Sequence, residues 1–313
     1  MQVVAPFSCH ARSDADRKAP DLERLQRRTF LGLSLATGVG LRLADALGAE
    51  AEPKSLTFGV FADPQYGERK ETIGRAYRDS PQKLVACIRT FCEARPAFVI
   101  GLGDFVDGTS KDADTELGHL RKLEDIFRRF EGPRHHVLGN HDLDAFTKEQ
   151  FLKATGMPAP HYAFDAAGNF RCIVLDGCYR KDFEPYGKGN FVWTDSWIPA
   201  EQLRWLEAEL KKAEGRALVF VHQPLDSDDV HCVRNAAEVR RILEESGKVI
   251  AVFSGHNHKG GYRRVRGIHY VTLCGMVEGP GIENNAYALV TVTPAGSLTI
   301  KGFGKQPSST REQ

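Results

Sequence analysis

Two carboxylates three residues apart, Asp104 and Asp107, close the stretch F-V-I-G-L-G-D-F-V-D-G from Phe98 to Gly108, where an apolar run breaks into glycine and acid. Alone, a G-D-x-x-D segment reads equally as a turn and as a ligand pair, because Asp and Gly are ordinary turn formers. Four further apolar runs end in the same manner: in Asp63 and Gln65, in Asn140 and His141, in His222, and in His256 and His258. Imidazole, carboxylate and amide donors without a thiolate suit manganese, iron or zinc. They are too many for one four-coordinate ion and enough for two.

Residues so far apart in the chain need a scaffold that gathers them. Apolar runs at 55–62, 98–103, 135–138, 216–221 and 249–253 read as strands, each followed by its polar group. In open α/β sheets the ligand crevice lies outside the carboxyl ends of the strands, so the five tips are expected to converge. Asp63 with Gln65, and His256 with His258, share a face if their backbone stays extended. Between the strands, Leu84, Ile88, Phe91 and Cys92 mark a helix over 81–95, with Ser80 as N-cap and Pro81 at N1. Further stripes mark helices over 117–130, 201–213 and 236–246. A hairpin is expected around Ala166-Ala167-Gly168, and three more strands over 268–274, 286–293 and 297–302. The aperiodic segment 177–199 is long for a connection and is expected to wall the substrate cleft. Its Trp193 and Trp197, like Trp205, read as packing residues.

Composition narrows the partner. With 42 basic against 41 acidic side chains there is no basic field for nucleic acid, and no nucleic-acid partner is expected. Seven cysteines without a C-x-x-C suggest neither a zinc ribbon nor a complete disulfide framework. Residues 1–51 read as an address. Arg27-Arg28-Thr29-Phe30-Leu31 precedes a Gly-rich apolar run to Leu43 and then Ala44, Ala46, Ala49 and Ala51. This resembles a bacterial twin-arginine signal. It implies the export machinery as a partner, a periplasmic or extracellular location, and a folded domain at 52–313. The apolar run is too short for a stable membrane span.

Taken together, D-P-Q, G-D-F-V-D-G, G-N-H-D, a strand-end His222 and G-H-N-H resemble the calcineurin-like metallophosphoesterase superfamily, in the usual order over roughly 56–302. The resemblance implies an α/β (α+β) fold, a sandwich of two packed mixed β-sheets flanked by helices. It implies two divalent metal ions bridged by Asp104, with Asp63, Gln65 and His258 completing one site and Asn140, His222 and His256 the other. Two such cations lower the pKa of a shared water, so a hydroxide would attack phosphorus in line. His141 would stabilise the transition state or protonate the leaving oxygen, its imidazole oriented by Asp107 or alternatively by Asp142.

One departure is informative. Gln65 stands where the superfamily usually has His, and its neutral carbonyl oxygen is a harder ligand that favours Mn²⁺. Gln at this position is also a feature of the manganese-dependent ADP-ribose/CDP-alcohol diphosphatases. F-A-D-P-Q-Y, R-A-Y-R-D-S at 75–80, H-C-V-R-N at 231–235 and G-H-N-H-K-G-G-Y at 255–262 resemble that subgroup as well. It implies a nucleoside diphosphate derivative or phosphate ester as substrate, with Cys232 near the nucleoside end and Tyr262 also in contact. A broad-specificity secreted phosphatase or phosphodiesterase is the alternative, and a non-catalytic metal-binding protein the remote one.

Overall fold

A computed structural model describes residues 54–312; the expected leader, 1–51, lies outside the described residues. Twelve strands form two six-stranded sheets in these residues. The first sheet is built around β1 (Leu56–Phe61), β2 (Val99–Gly101) and β3 (Arg134–His136), which run parallel. In the second, β4 (Tyr162–Ala166) and β5 (Phe170–Val174) form the expected hairpin. β5 continues in parallel into β6 (Arg216–Phe220), β7 (Val249–Ser254) and β9 (Ile268–Cys274). An edge strand, β8 (Lys259–Val265), pairs antiparallel with β9. β10 (Ala286–Val292), β11 (Leu298–Gly304) and β12 (Ser309–Arg311) return antiparallel to the free side of β1. The sheet orders are β12-β11-β10-β1-β2-β3 and β4-β5-β6-β7-β9-β8. The two mixed sheets are those the motif resemblance implies; β8 and β12 are additional.

The alternation of β1 shows how the layers are assembled. Phe58 faces the second sheet, its ring 5.6 Å from Phe220 and 5.2 Å from Phe253, and stacks on Phe98 at 5.0 Å. Phe61, on the other face, meets Phe127 at 5.4 Å, so this face packs on helices α1 (Ser80–Ala94) and α2 (Ala113–Phe127). Gly59 lies under α1, where a Cβ would come within 2.9 Å of the Phe91 ring. The outer face of the second sheet is covered by α4 (Ala200–Lys212) and α5 (Ala236–Ser246) through Leu203, Leu206, Val239 and Leu243.

Local expectations fail at two helices. Ser80 lies inside α1, with Asp79 at the N-cap position. Its hydroxyl is drawn to the Pro64 carbonyl instead of capping. A short helix, α3 (Lys148–Thr155), follows the G-N-H-D segment. Thr147 and Gln150 form a capping box at its start, but its apolar stripe is too short to stand out by periodicity. Among the described residues no helix is long and apolar enough to cross a membrane.

Candidate metal centre

The five strand tips meet at one rim. Ligand atoms of Asp104, His222 and His256 lie within 4.8 Å of one another, as do those of Asp63, Asp104 and His258. Asp104 belongs to both groups. The first sheet supplies the oxygen donors Asp63, Gln65, Asp104 and Asn140; the second supplies the imidazoles of His222, His256 and His258.

Convergence does not come from extended backbone, as the spacing suggests. Asp63 (φ 54°), Gln65 (φ 43°), Asp104 (φ 54°) and His256 (φ 65°) all occupy the left-handed region, which costs a non-glycine residue on the order of 1–3 kcal/mol. These kinks, not strand alternation, turn the side chains inward. Gly139 makes the approach of the β3 tip possible, because a Cβ there would lie 2.2 Å from Asp104 Oδ1.

The side chains are poised as ligands. Gln65 Oε1, Asn140 Oδ1, His222 Nε2 and His256 Nε2 are buried without a hydrogen-bond partner, whereas buried polar atoms in folded proteins are nearly always paired. Four lone-pair donors left open around a shared carboxylate fit divalent cations. The Gln65 amide donates through Nε2 to Asp104 Oδ2 at 3.0 Å, which leaves its carbonyl oxygen as the ligand. His222 donates from Nδ1 to the Leu102 carbonyl at 2.7 Å, and its Nε2 lies 3.2 Å from Asp104 Oδ2. His258 is held through Nδ1 by Glu278 at 2.6 Å, with Nε2 3.3 Å from Asp63 Oδ1. In both rings the partner of Nδ1 fixes the tautomer that exposes Nε2. Burial pushes His256 well below the usual imidazole range, so it stays neutral.

His141 sits beside this cluster, its backbone N–H donating to Asp104 Oδ1 at 2.8 Å. Neither expected partner orients its ring. Asp107 is paired with Arg69 at 2.9 Å, and its carboxyl is raised to about 6 by burial, against the pull of His141 and Arg69. Asp142 accepts backbone N–H groups of Asp104, Phe105, Val106 and Gly139 at 2.7–3.3 Å. It therefore fixes the loop that carries Asp104. Asp144 holds His141, Nδ1 to Oδ2 at 2.7 Å. The tight turn His141–Leu143 brings positions three apart together, a relation readable in N-H-D-L-D only once that turn is known. Burial opposes protonation of His141, but Asp104, Asp144 and Asp107 overcome it and raise its pKa to about 10.

The two expected substrate residues are placed differently. Cys232 is 2% exposed, with Sγ against Ser227 Oγ at 3.3 Å and Asp226 Oδ1 at 3.6 Å. Its neighbour His231 lines the cavity beside the metal ligands instead. Tyr262 pairs with Val271 midway along the β8–β9 hairpin, and its hydroxyl bonds His269 Nδ1 at 2.9 Å. Because His269 lies near the start of β9, the tyrosine points away from the rim where the tips meet. The segment 177–199 does reach the cleft: Trp193, 43% exposed, has its ring 5.6 Å from His256 and 5.3 Å from His231. It is not a packing residue, whereas Trp197 and Trp205 pack against Phe183 and His161.

A family model for calcineurin-like phosphoesterases matches residues 56–260. A manganese-dependent ADP-ribose/CDP-alcohol diphosphatase of Arabidopsis thaliana is 28% identical over 281 residues, covering 75% of this chain and 90% of the relative. The human protein of the same name is 25% identical over 320 residues, covering 83% and 93%. Among solved structures, a dimetal phosphatase from Danio rerio superposes with a TM-score of 0.70 at 24% identity, over 82% of this chain and 98% of that one.

Proposed function

This chain belongs to the calcineurin-like phosphoesterase family, and from that premise we propose that it hydrolyses the diphosphate linkage of ADP-ribose or CDP-alcohol type substrates with two manganese ions. The enzyme is a metal-dependent phosphohydrolase. The observation that carries the reading is the single buried carboxylate, Asp104, common to two groups of ligand atoms. When bound, the cations supply Lewis acidity at the phosphoryl oxygens and an activated water.

The protein's own groups do the rest. Asp63, Gln65 and His258 would hold one ion and Asn140, His222 and His256 the other, with Asp104 common to both. Asp142 pins the Asp104 loop through three backbone N–H groups and its own loop through that of Gly139. Asp144 occupies Nδ1 of His141, which leaves Nε2–H to donate to the oxygen that leaves phosphorus. Asp144, bonded to the ring, and Asp107 beside it favour the protonated form.

Support for a diphosphate comes from a cavity of about 500 Å³ that includes His256 and His258 and is lined by Arg75, Lys259 and Lys305. That volume suits a small-molecule ligand, and the cations suit a second phosphate. Trp193 and His231 offer aromatic surface at its rim. The test is a panel of ADP-ribose, CDP-choline, cyclic nucleotides and p-nitrophenyl phosphate with Mn²⁺. Preference for the first two is expected; activity confined to the simple ester would establish the broad-specificity phosphatase instead.

The twin-arginine pattern at Arg27-Arg28 supports export of the folded enzyme to the periplasm or beyond. Fusing residues 1–51 to a reporter that is active only after export, with and without Arg27→Lys and Arg28→Lys, checks this. Export insensitive to both changes would exclude that route.

A further inference from the structure

The apolar stripe of α1 carries one lysine. Lys83 is fully buried beside Leu84 and Cys87, and among the described residues it has no carboxylate within ion-pair distance. Its Nζ donates to three backbone carbonyls, Met276 at 2.8 Å, Gly279 at 2.6 Å and Glu278 at 3.3 Å. Burial, partly offset by nearby carboxylates, draws its pKa down to about 8. An apolar residue would fill the same stripe without the desolvation cost of a buried ammonium, so packing does not account for it.

The segment it grips lies against one half of the metal centre. Gly275 N–H donates to the His258 carbonyl at 3.0 Å, Met276 N–H to that of Ala62 at 2.9 Å and Val277 N–H to that of Asp63 at 3.0 Å. Gly275 runs so close that a Cβ would meet the His258 ring at 2.7 Å. The next side chain, Glu278, holds His258 Nδ1 at 2.6 Å and is itself held by Arg75 Nε at 3.2 Å. Of the other half, the His222 imidazole is fixed by the Leu102 carbonyl, away from this segment, while the His256 backbone N–H donates to the Asp63 carboxylate.

We propose that Lys83 is a positioning residue for the Asp63, Gln65 and His258 half of the centre. It draws the Met276, Glu278 and Gly279 carbonyls inward and thereby sets Glu278 to aim His258. The inference rests on the two-cation reading and is independent of the substrate. A carboxylate bonded to a ligating histidine is worth about 10–100-fold in metal affinity, and a residue that places that carboxylate should act on the same ion.

The test is calorimetric titration of the metal-free full chain with Mn²⁺, for wild type, Lys83→Met, Glu278→Gln and the double variant, with melting temperatures of the metal-free forms. Two binding events are expected in wild type; a single event or none would sink the two-cation reading itself, whatever the variants do. In Lys83→Met and in Glu278→Gln one event is expected to weaken about 10–100-fold while the other is unchanged. The double variant is expected to be no weaker than about 3-fold beyond the worse single one, because both act through one ring. Turnover should recover in each at saturating Mn²⁺. Unchanged affinities in Lys83→Met, or both affinities falling together with the melting temperature, would overturn the proposal. If Lys83→Met does not fold, Glu278→Gln decides it, since wild-type affinity in that variant removes the link through which Lys83 acts.

Discussion

The segment that runs from β3 into the loop after it, residues 135–141, buries polar groups in opposite ways at its two ends. At its start, His136 Nε2 meets the Glu124 carboxylate at 2.7 Å, and Tyr162 donates to the His136 carbonyl at 2.9 Å while accepting its N–H at 3.2 Å. His135 stacks on Phe164. At its far end, Asn140 Oδ1 is buried and unpartnered, within a rim where three other ligand atoms are also left open. One end spends its polar atoms on each other; the other holds them ready for something else. A buried histidine beside a carboxylate is thus not evidence of a site by itself. What separates the ends is a buried lone pair left without a partner.

That contrast predicts variants that separate activity from stability. Asp104→Asn is expected to have the largest effect, lowering activity by more than about 10³-fold, above the loss for a single electrostatic contact, because both cations lose a ligand; near-normal kcat would dismantle the centre as described. His141→Ala should lower kcat by about 10²–10⁴-fold while both Mn²⁺ ions still bind, whereas Asn140→Ala should lose metal affinity. Normal turnover in the His141 variant would remove that residue from the mechanism.

At the opposite end, Glu124→Leu leaves His136 Nε2 without its partner. It should cost about 1–3 kcal/mol in denaturant unfolding with Mn²⁺ affinity unchanged; a change in metal binding there would erase the distinction between the two ends. The smallest effect is pH-dependent. Burial, helped by His136, lowers the pKa of His135 to about 4, below the 6.5 of an unfolded imidazole. Between these values the unfolded chain takes up a proton that the folded one resists. The neutral ring's contribution is therefore complete above pH 6.5 and is lost as pH falls toward 4, at no more than about 1.4 kcal/mol per pH unit. His135→Phe should flatten that slope; an unaltered slope would show that this ring is not responsible.

Much of this was legible because it rested on order along the chain. Apolar runs ending in Asp, Asn and His fixed which strand ends mattered, and the parallel sheets brought them together. What escaped depended on turns and long returns. Asp144 reaches His141 through a tight turn that no periodicity announces, so the sequence points to Asp107, with Asp142 as the alternative. Glu278 reaches His258 only after the chain has run down β8 and back up β9, and nothing in its own neighbourhood marks it. Cys232 and Tyr262 matched in motif, but the motif did not report which neighbour faces the cavity or which way a hairpin side chain leans.

Because the oxygen ligands ride on one sheet and the imidazoles on the other, every ion held at this rim spans the seam of the sandwich. The gap it must bridge is set, well beneath the rim, by the rings of Phe58, Phe98, Phe220 and Phe253. Those rings act as a shim. Thinning one of them, by replacing Phe58 with leucine for instance, would let the halves settle and alter the bite offered to the cations, although no ligand has been touched.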